Sequence, residues 1–262
     1  MARARWVAFG SVVLAATGVT SRARAYRPFD GTDADVADYG EYELELEPCG
    51  LYREGSRDSL VAPYAINNYG FLPRNELVLE GRQLVQIDGA GAPHASLVEP
   101  QLFVKTVLRE GALQGGRGLS VASEVGPYFP EAGTGATKLG GQIGVIVSEA
   151  WRDLAVHLNV VDYLSRAGDY GLFTSLIVEG PARWRVRPVG ELLADREFGS
   201  TTLRDGLTRS VLGGFIWHVT EGFDVDAALR VGAVEDRAMR EVRLGFTWAV
   251  EVLPPSPAPI KD

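Results

Sequence analysis

The chain has 262 residues with a formal net charge of −8, and 46% of its residues are hydrophobic. This length suits one β-barrel or one large β-sandwich, and the acidic balance disfavours nucleic acid, which rewards a basic surface. The chain has one cysteine, so an intramolecular disulfide is excluded.

The first 25 residues have the layout of a secretory signal peptide. Arg3 and Arg5 precede an apolar stretch over residues 6–19, and the segment ends in Ala23-Arg24-Ala25. The apolar stretch is shorter than the ~20 residues that a spanning helix needs, so cleavage after Ala25 is favoured over a buried helix or a membrane anchor. Removing the four arginines of this segment leaves 22 basic against 34 acidic residues, a net charge of −12.

Four regions are predicted along the chain. They are a signal peptide over 1–25, an N-terminal periplasmic or lumenal segment over 26–40, a barrel over 41–251 and a proline-rich disordered tail over 252–262. Irregular backbone is tolerated at membrane depth where protein or water covers it, so segment 26–40 is a candidate plug of the barrel lumen.

Two-residue alternation of apolar and polar side chains predicts the strands of this barrel. Val242, Leu244 and Phe246 share one face of the last strand, for example, and Arg243 lies on the other. Most strands reach the length that a tilted strand needs to cross a bilayer, and their number is even, as in bacterial barrels. Twelve are predicted, over 42–48, 60–70, 76–87, 98–110, 118–129, 138–149, 153–164, 170–179, 184–197, 207–219, 223–234 and 240–250.

The connections are expected to alternate in length, with long turns such as 49–59 on the outer side and tight turns such as 220–222 on the periplasmic side. Pro188 predicts a bulge or break in the ninth strand, because proline cannot donate to the ladder. Aromatic side chains collect at the predicted periplasmic strand ends, as a girdle at headgroup depth would. The predicted membrane-interface aromatics are Trp151, Trp184, Trp217, Phe223 and Trp248.

The face opposite the apolar one carries the charged residues, and it is expected to line a polar lumen, where the charges pair across the interior. A soluble β-sandwich would bury the apolar face instead; the signal, the strand length and the aromatic girdle favour the membrane barrel. The predicted lumen-lining residues are Glu80, Arg82, Lys105, Arg109, Glu124, His157, Asn159, Glu179, Arg185, Arg187, Glu191, Asp195, Asp224, Asp226, Arg230 and Arg243.

The predicted mature N-terminus opens with Tyr26-Arg27-Pro28-Phe29, continues through Asp33 and Ala34, and leads into an acidic first strand. This opening resembles that of a family of Gram-negative outer-membrane proteins labelled transporters or phenol-degradation-pathway proteins. The resemblance implies a barrel of about twelve strands. One departure is the proline-rich tail, since such barrels usually finish on an aromatic residue.

No enzymatic role is predicted. His157 and Asn159 share a lumenal face, but no serine is evident within reach of His157 to serve as a nucleophile. Paired carboxylates such as Asp224 and Asp226 could hydrolyse glycosides or hold calcium, but neighbouring arginines favour salt bridges. No catalytic residue, metal site or cofactor is expected, since the histidines lack metal-ligand spacing.

The sequence therefore predicts an all-β protein, a transmembrane antiparallel up-and-down barrel in the cell outer membrane of a Gram-negative bacterium. Its expected partners are outer-membrane lipid, lipopolysaccharide and the barrel-insertion machinery, with a small-molecule solute as a further candidate. A narrow porin-like pore or transporter is the favoured function. A closed structural or binding barrel, or an outer-membrane lipid hydrolase, are the alternatives.

Overall fold

The computed structural model describes residues 27–88, 94–199 and 206–253. The predicted signal peptide lies outside these residues, as does most of the predicted tail. The first two tail residues are ordered, because the backbone N–H groups of Val252 and Leu253 donate to Gly40 O at 2.8 and 3.1 Å.

The described chain forms one closed antiparallel sheet. Its strands are β1 Glu41–Glu47, β2 Gly50–Glu54, β3 Arg57–Leu72, β4 Asn75–Gln86, β5 His94–Arg109, β6 Ser120–Tyr128, β7 Gly140–Ala150, β8 Ala155–Leu164, β9 Tyr170–Glu179, β10 Val186–Phe198, β11 Gly206–Thr220, β12 Phe223–Val234 and β13 Arg237–Glu251. A short 3-10 helix, Ala112–Gln114, lies between β5 and β6. No helix in the described ranges is long and apolar enough to cross a bilayer.

The segments β1 and β2 are two halves of one barrel strand, interrupted at Pro48 and Cys49. Both halves pair with β3 on one side and with β13 on the other. The barrel therefore has twelve strands, each antiparallel to the next along the chain, and the predicted fold class is confirmed. Closure removes the free sheet edges that would otherwise be exposed.

We call the end of the barrel where β1 begins the near rim, and the opposite end the far rim. The turn at residues 73–74 lies at the near rim, and the turns at residues 55–56 and 235–236 lie at the far rim. The predicted long connection over 49–59 is wrong, because Leu51 and Arg53 continue the alternation and pair with Val242 and Arg240 of β13.

The predicted break at Pro188 is also wrong. Pairing of β10 with β11 runs without a shift through Pro188 and Phe215, and pairing with β9 begins only at Val189. Pro188 therefore lies before the first residue of β10 that pairs with β9, so its missing N–H leaves no hydrogen bond to β9 unmade.

The strands are apolar outside and polar inside. Outward-facing leucines and valines are exposed around the wall, with Leu229 62% and Val211 52% accessible, while the inward neighbour Ser210 is buried. An exposed apolar surface of this extent is typical of a barrel wall that faces lipid.

The five predicted interface aromatics lie at the near rim. Trp151 and Trp184 are in turns there, Trp217 is close to the end of β11, and Phe223 opposes Trp248 across β12 and β13. The far rim has a stacked outward pair, Tyr170 and Phe198, with ring centroids 6.0 Å apart.

Candidate functional site: a lumen closed by the N-terminal segment

Residues 27–38 run through the lumen before β1 begins, and we call this segment the plug. It contacts inward-facing side chains on both sides of the barrel, from Asp226 on β12 to Glu76 on β4. Arg27, Phe29 and Ala34 are almost fully buried. The Arg-Pro-Phe opening that stands out in the sequence is therefore buried inside the barrel.

Arg27 is held by three carboxylates of the barrel wall. Its Nη2 donates to Glu47 at 2.9 Å, its Nε lies 3.4 Å from Asp226, and its backbone N–H donates to Glu45 at 2.9 Å. A Cβ at Gly245 of β13 would lie 2.5 Å from the Arg27 Nε. The wall is thus shaped to admit the guanidinium.

At Asp30 the charges are exchanged: the plug provides the carboxylate, and the barrel wall provides the arginines. Its two oxygens lie 2.8 Å from Arg243 Nη2 and 2.9 Å from Arg230 Nη1. Burial alone would raise the pKa of the Asp30 carboxyl, but the two guanidinium groups hold that pKa well below its usual range. Glu241 shares both arginines, 2.7 Å from Arg243 and 3.3 Å from Arg230.

The plug backbone is bound by wall side chains in the absence of a neighbouring strand. The N–H groups of Asp30 and Gly31 donate to the two oxygens of Glu191 at 3.0 and 2.8 Å. Asn159 accepts from the Thr32 N–H at 3.0 Å and donates to the Thr32 carbonyl at 2.9 Å. Buried backbone groups that would otherwise lack partners are satisfied in this way.

The second half of the plug contacts the part of the wall formed by β4 and β5. Lys105 Nζ donates to Thr32 Oγ1 at 3.0 Å and lies 3.4 Å from Glu76, whose other oxygen accepts from the Ala37 N–H at 2.7 Å. The 3-10 helix reaches the same region, because Gln114 Nε2 donates to the Ala34 carbonyl at 2.9 Å. The connection between β5 and β6 therefore helps to close the lumen.

Two apolar contacts complete the plug. Phe29 packs in a pocket of inward residues from β9 to β12, which includes Ile177 and Leu212. Ala34 packs against Ala122 and Ile146. Arg27 also lies over the Tyr64 ring, 5.8 Å from its centroid. Most other contacts of the plug are hydrogen bonds and ion pairs, which water can replace when the segment leaves its site.

The plug separates two chambers. The far chamber has a volume of about 480 Å³, and Asp30, Gly31 and Thr32 contribute to its lining. The near chamber, about 260 Å³, is lined by Asp33, Asp35 and near-rim residues.

The predicted lumen-lining residues separate into three groups in the structure. Nine are buried inside the barrel: Lys105, His157, Asn159, Glu179, Glu191, Asp224, Asp226, Arg230 and Arg243. Five are partly exposed to the chambers: Glu80, Arg82, Glu124, Arg187 and Asp195. Two are exposed at the near rim instead: Arg109 and Arg185.

The predicted lumenal placement of Arg109 and Arg185 is therefore wrong. A bulge in β5 between Val107 and Arg109 shifts the register, so that Arg109 pairs with outward-facing Val121. Arg185 lies in the turn before β10, where strand alternation does not yet apply. In both cases a local irregularity breaks the two-residue period.

Several residues that fasten the plug are absent from the predicted set, among them Glu76 and Glu241. The alternation already placed Glu241 in phase with Arg243, so that signal was available. Asp30 and Gln114 gave no such signal, because they lie outside the strands.

The structure also corrects the expectation that no serine lies near His157. Ser148 of β7 pairs directly with His157 of β8, and its Oγ is 2.9 Å from the imidazole Nδ1. The imidazole Nε2 is 3.2 Å from Glu179, which also contacts Arg187 at 3.1 Å. Ser148 is fully buried and accepts from the plug N–H of Ala34 at 2.9 Å, so an acyl substrate has no approach while the plug is docked.

No group of three or more histidine, cysteine, aspartate or glutamate side chains in the described ranges is arranged to hold a metal ion.

No protein-family model and no curated protein match this chain. Similar solved structures include the KdgM porin in complex with disordered oligogalacturonate, with 13% identity, a TM-score of 0.48 and coverage of 79% of this chain and 98% of that chain. The translocator domain of the autotransporter NalP from Neisseria meningitidis has 12% identity, a TM-score of 0.45 and coverage of 84% and 90%.

A loop L8 deletion mutant of OmpT, an outer membrane protein of Vibrio cholerae, has 8% identity, a TM-score of 0.43 and coverage of 80% and 99%. The fold assignment depends on the strand pairing described above, and the resemblance to the phenol-degradation-pathway family stays a prediction.

Proposed function

We propose that this protein is an outer-membrane barrel of a Gram-negative bacterium that conducts small polar solutes when its N-terminal plug leaves the lumen. The observation that carries the proposal is the plug itself, which separates two water-accessible chambers and is fastened mainly by replaceable polar contacts. The resemblance of residues 26–45 to a family labelled transporters supports the same function.

The membrane location is supported by the outside of the barrel. Exposed leucines and valines surround the wall, and aromatic side chains lie at both rims, as expected for a barrel in a bilayer. Lipid, lipopolysaccharide and the insertion machinery are the corresponding proposed partners. Heat-modifiable gel mobility of the detergent-extracted protein tests this, since a membrane barrel migrates compactly until it is boiled.

The proposed solutes are small cations or neutral polar molecules. The far chamber is lined by seven carboxylates and three arginines. A chamber with this balance concentrates cations and repels anions. The lining residues are Asp30, Glu54, Glu80, Glu99, Glu124, Asp195, Glu197, Arg82, Arg166 and Arg230.

The test is single-channel recording in planar bilayers of the native barrel and of a barrel that lacks residues 27–37. We expect rare openings in the native protein and a sustained, cation-preferring current in the deletion variant. A folded deletion variant that carries no current would refute the conduit and support the alternative, a closed structural or binding barrel. The dense ion pairing around Arg243 is the observation that favours this alternative.

We propose that the protein has no hydrolytic activity, although Ser148, His157 and Glu179 are neighbours. The support is the burial of Ser148 beneath Ala34. Incubation of the native barrel with phospholipid or lipopolysaccharide should release no acyl chains, and acyl release that disappears in Ser148→Ala would overturn this.

A further inference from the structure

Four arginines interrupt the apolar outside of the barrel close to the far rim. Arg53 on β2, Arg196 on β10, Arg209 on β11 and Arg240 on β13 are all exposed and all have outward parity. The strand order places β10, β11, β12, β13 and β2 side by side. We call these four residues the arginine arc.

The register brings the members of the arc close together. Arg53 and Arg240 are direct cross-strand partners. Arg240 also pairs with Val231 of β12, whose other partner is Val211, two residues from Arg209. Arg209 in turn pairs with Ala194, two residues from Arg196. The arc is thus one continuous patch.

Like charges directly opposite each other on a sheet face destabilise the pairing unless an anion lies between them. Arg53 contacts Asp58 at 2.5 Å, and Arg196 lies over the Phe198 ring at 5.0 Å. No ion pair joins Arg209 or Arg240 to another side chain within 27–88, 94–199 and 206–253. Arg209 and Arg240 therefore have unused capacity for an external anion, although the protein as a whole is acidic.

Depth in the membrane identifies the class of anion. Each arginine lies one to three residues from the far-rim end of its strand, which is about 3–10 Å at 3.3 Å per residue. The next outward side chains toward the middle of the wall are apolar, such as Leu51, 52% exposed, and Val211, 52% exposed. The anion that fits this position is therefore a lipid, with its charged headgroup at the arginines and its hydrocarbon chains on the apolar wall below.

We propose that the arginine arc binds the phosphates of lipopolysaccharide in the outer leaflet. The proposal rests on the outer-membrane location proposed above, with the far rim facing the exterior. Guanidinium groups match phosphate oxygens in geometry and charge, and several arginines can share a bisphosphorylated headgroup. The acyl chains would then cover the apolar wall beneath the arc.

The test compares lipid retention by folded barrels in native mass spectrometry. The probes are bisphosphorylated lipid A, lipid A without its phosphates, and phosphatidylglycerol. We expect the native barrel to bind bisphosphorylated lipid A at least tenfold more tightly than either other lipid. The double variant Arg209→Ala/Arg240→Ala should lose this preference, and Arg74→Ala/Arg109→Ala, which removes two exposed arginines of the near rim, should keep it.

Equal binding of the phosphate-free lipid, equal binding of phosphatidylglycerol, or an equal loss in the near-rim variant would overturn the proposal. Heat-modifiable mobility verifies that each variant is folded. If the far-rim double variant does not fold, Arg240→Gln serves in its place, with an expected threefold loss. The lipid-binding test does not use channel current. Failure to bind lipid A therefore leaves the conduit proposal intact, and an absence of channel current leaves the lipid-binding proposal intact.

Discussion

Replacing Asp30 with asparagine should release the plug. The substitution preserves shape but removes the charge that meets Arg243 at 2.8 Å and Arg230 at 2.9 Å. Asp30 accepts a hydrogen bond from Arg243 and forms an ion pair with Arg230, and removing one partner of a buried ion pair costs ~3–5 kcal/mol. Glu241 still contacts both arginines in the variant, which favours the lower end, about 3 kcal/mol.

At about 1.4 kcal/mol per factor of ten, this loss raises the ratio of undocked to docked plug roughly 100-fold. Open probability in single-channel recordings measures that ratio. Asp33→Asn is the matched control, because Asp33 is in the same segment but is 3.9 Å from its lysine partner. An unchanged open probability in Asp30→Asn, or an equal rise in the control, would refute this role of Asp30.

Three further predictions concern the same lumen. Gly245→Ala should raise open probability by displacing the Arg27 guanidinium, whereas Gly213→Ala, where an added Cβ meets nothing within 4 Å, should not. In the plug-deleted barrel, Lys105→Ala should shift the reversal potential toward stronger cation preference, because it removes a positive charge; an unchanged potential would contradict this. The pKa of Asp30 is depressed in the docked plug. The stabilisation of the docked plug by its carboxylate is therefore fully present above the pKa of the free group, about 3.9, and is lost only as pH falls through the lower pKa of the docked group. The ratio of open probabilities between Asp30→Asn and the native protein should therefore be the same at pH 7 and pH 5, and a ratio that collapses at pH 5 would contradict it.

The arrangement of strands could be predicted because alternation is a local property. A residue and its neighbour two positions along share a face whatever the rest of the chain does, so the parity of Lys105, Glu191 and Arg243 follows from a few adjacent residues. The face of a side chain cannot be predicted in this way where the two-residue period is broken. The bulge beside Arg109 and the continuation of the first strand through Arg53 depend on pairing with distant strands.

The contacts of the lumen could not be predicted in the same way. Ser148 and His157 become neighbours because β7 and β8 pair in one particular register, and a shift of one residue would separate them. Asp30 lies in a segment without periodicity, more than 200 residues before Arg243. Its position is decided by which charges the closed wall presents.

The amino-acid sequence by itself thus determines that each strand has an apolar and a charged face, and that about twelve strands form the sheet. The alternation of apolar and polar residues involves only near neighbours along the chain, so the sequence shows it without knowledge of the fold. The tertiary structure alone decides that the plug, residues 27–38, closes the lumen and which charges pair there. Burying a charge is costly unless its partner is in place, and those partners come together only when the barrel closes.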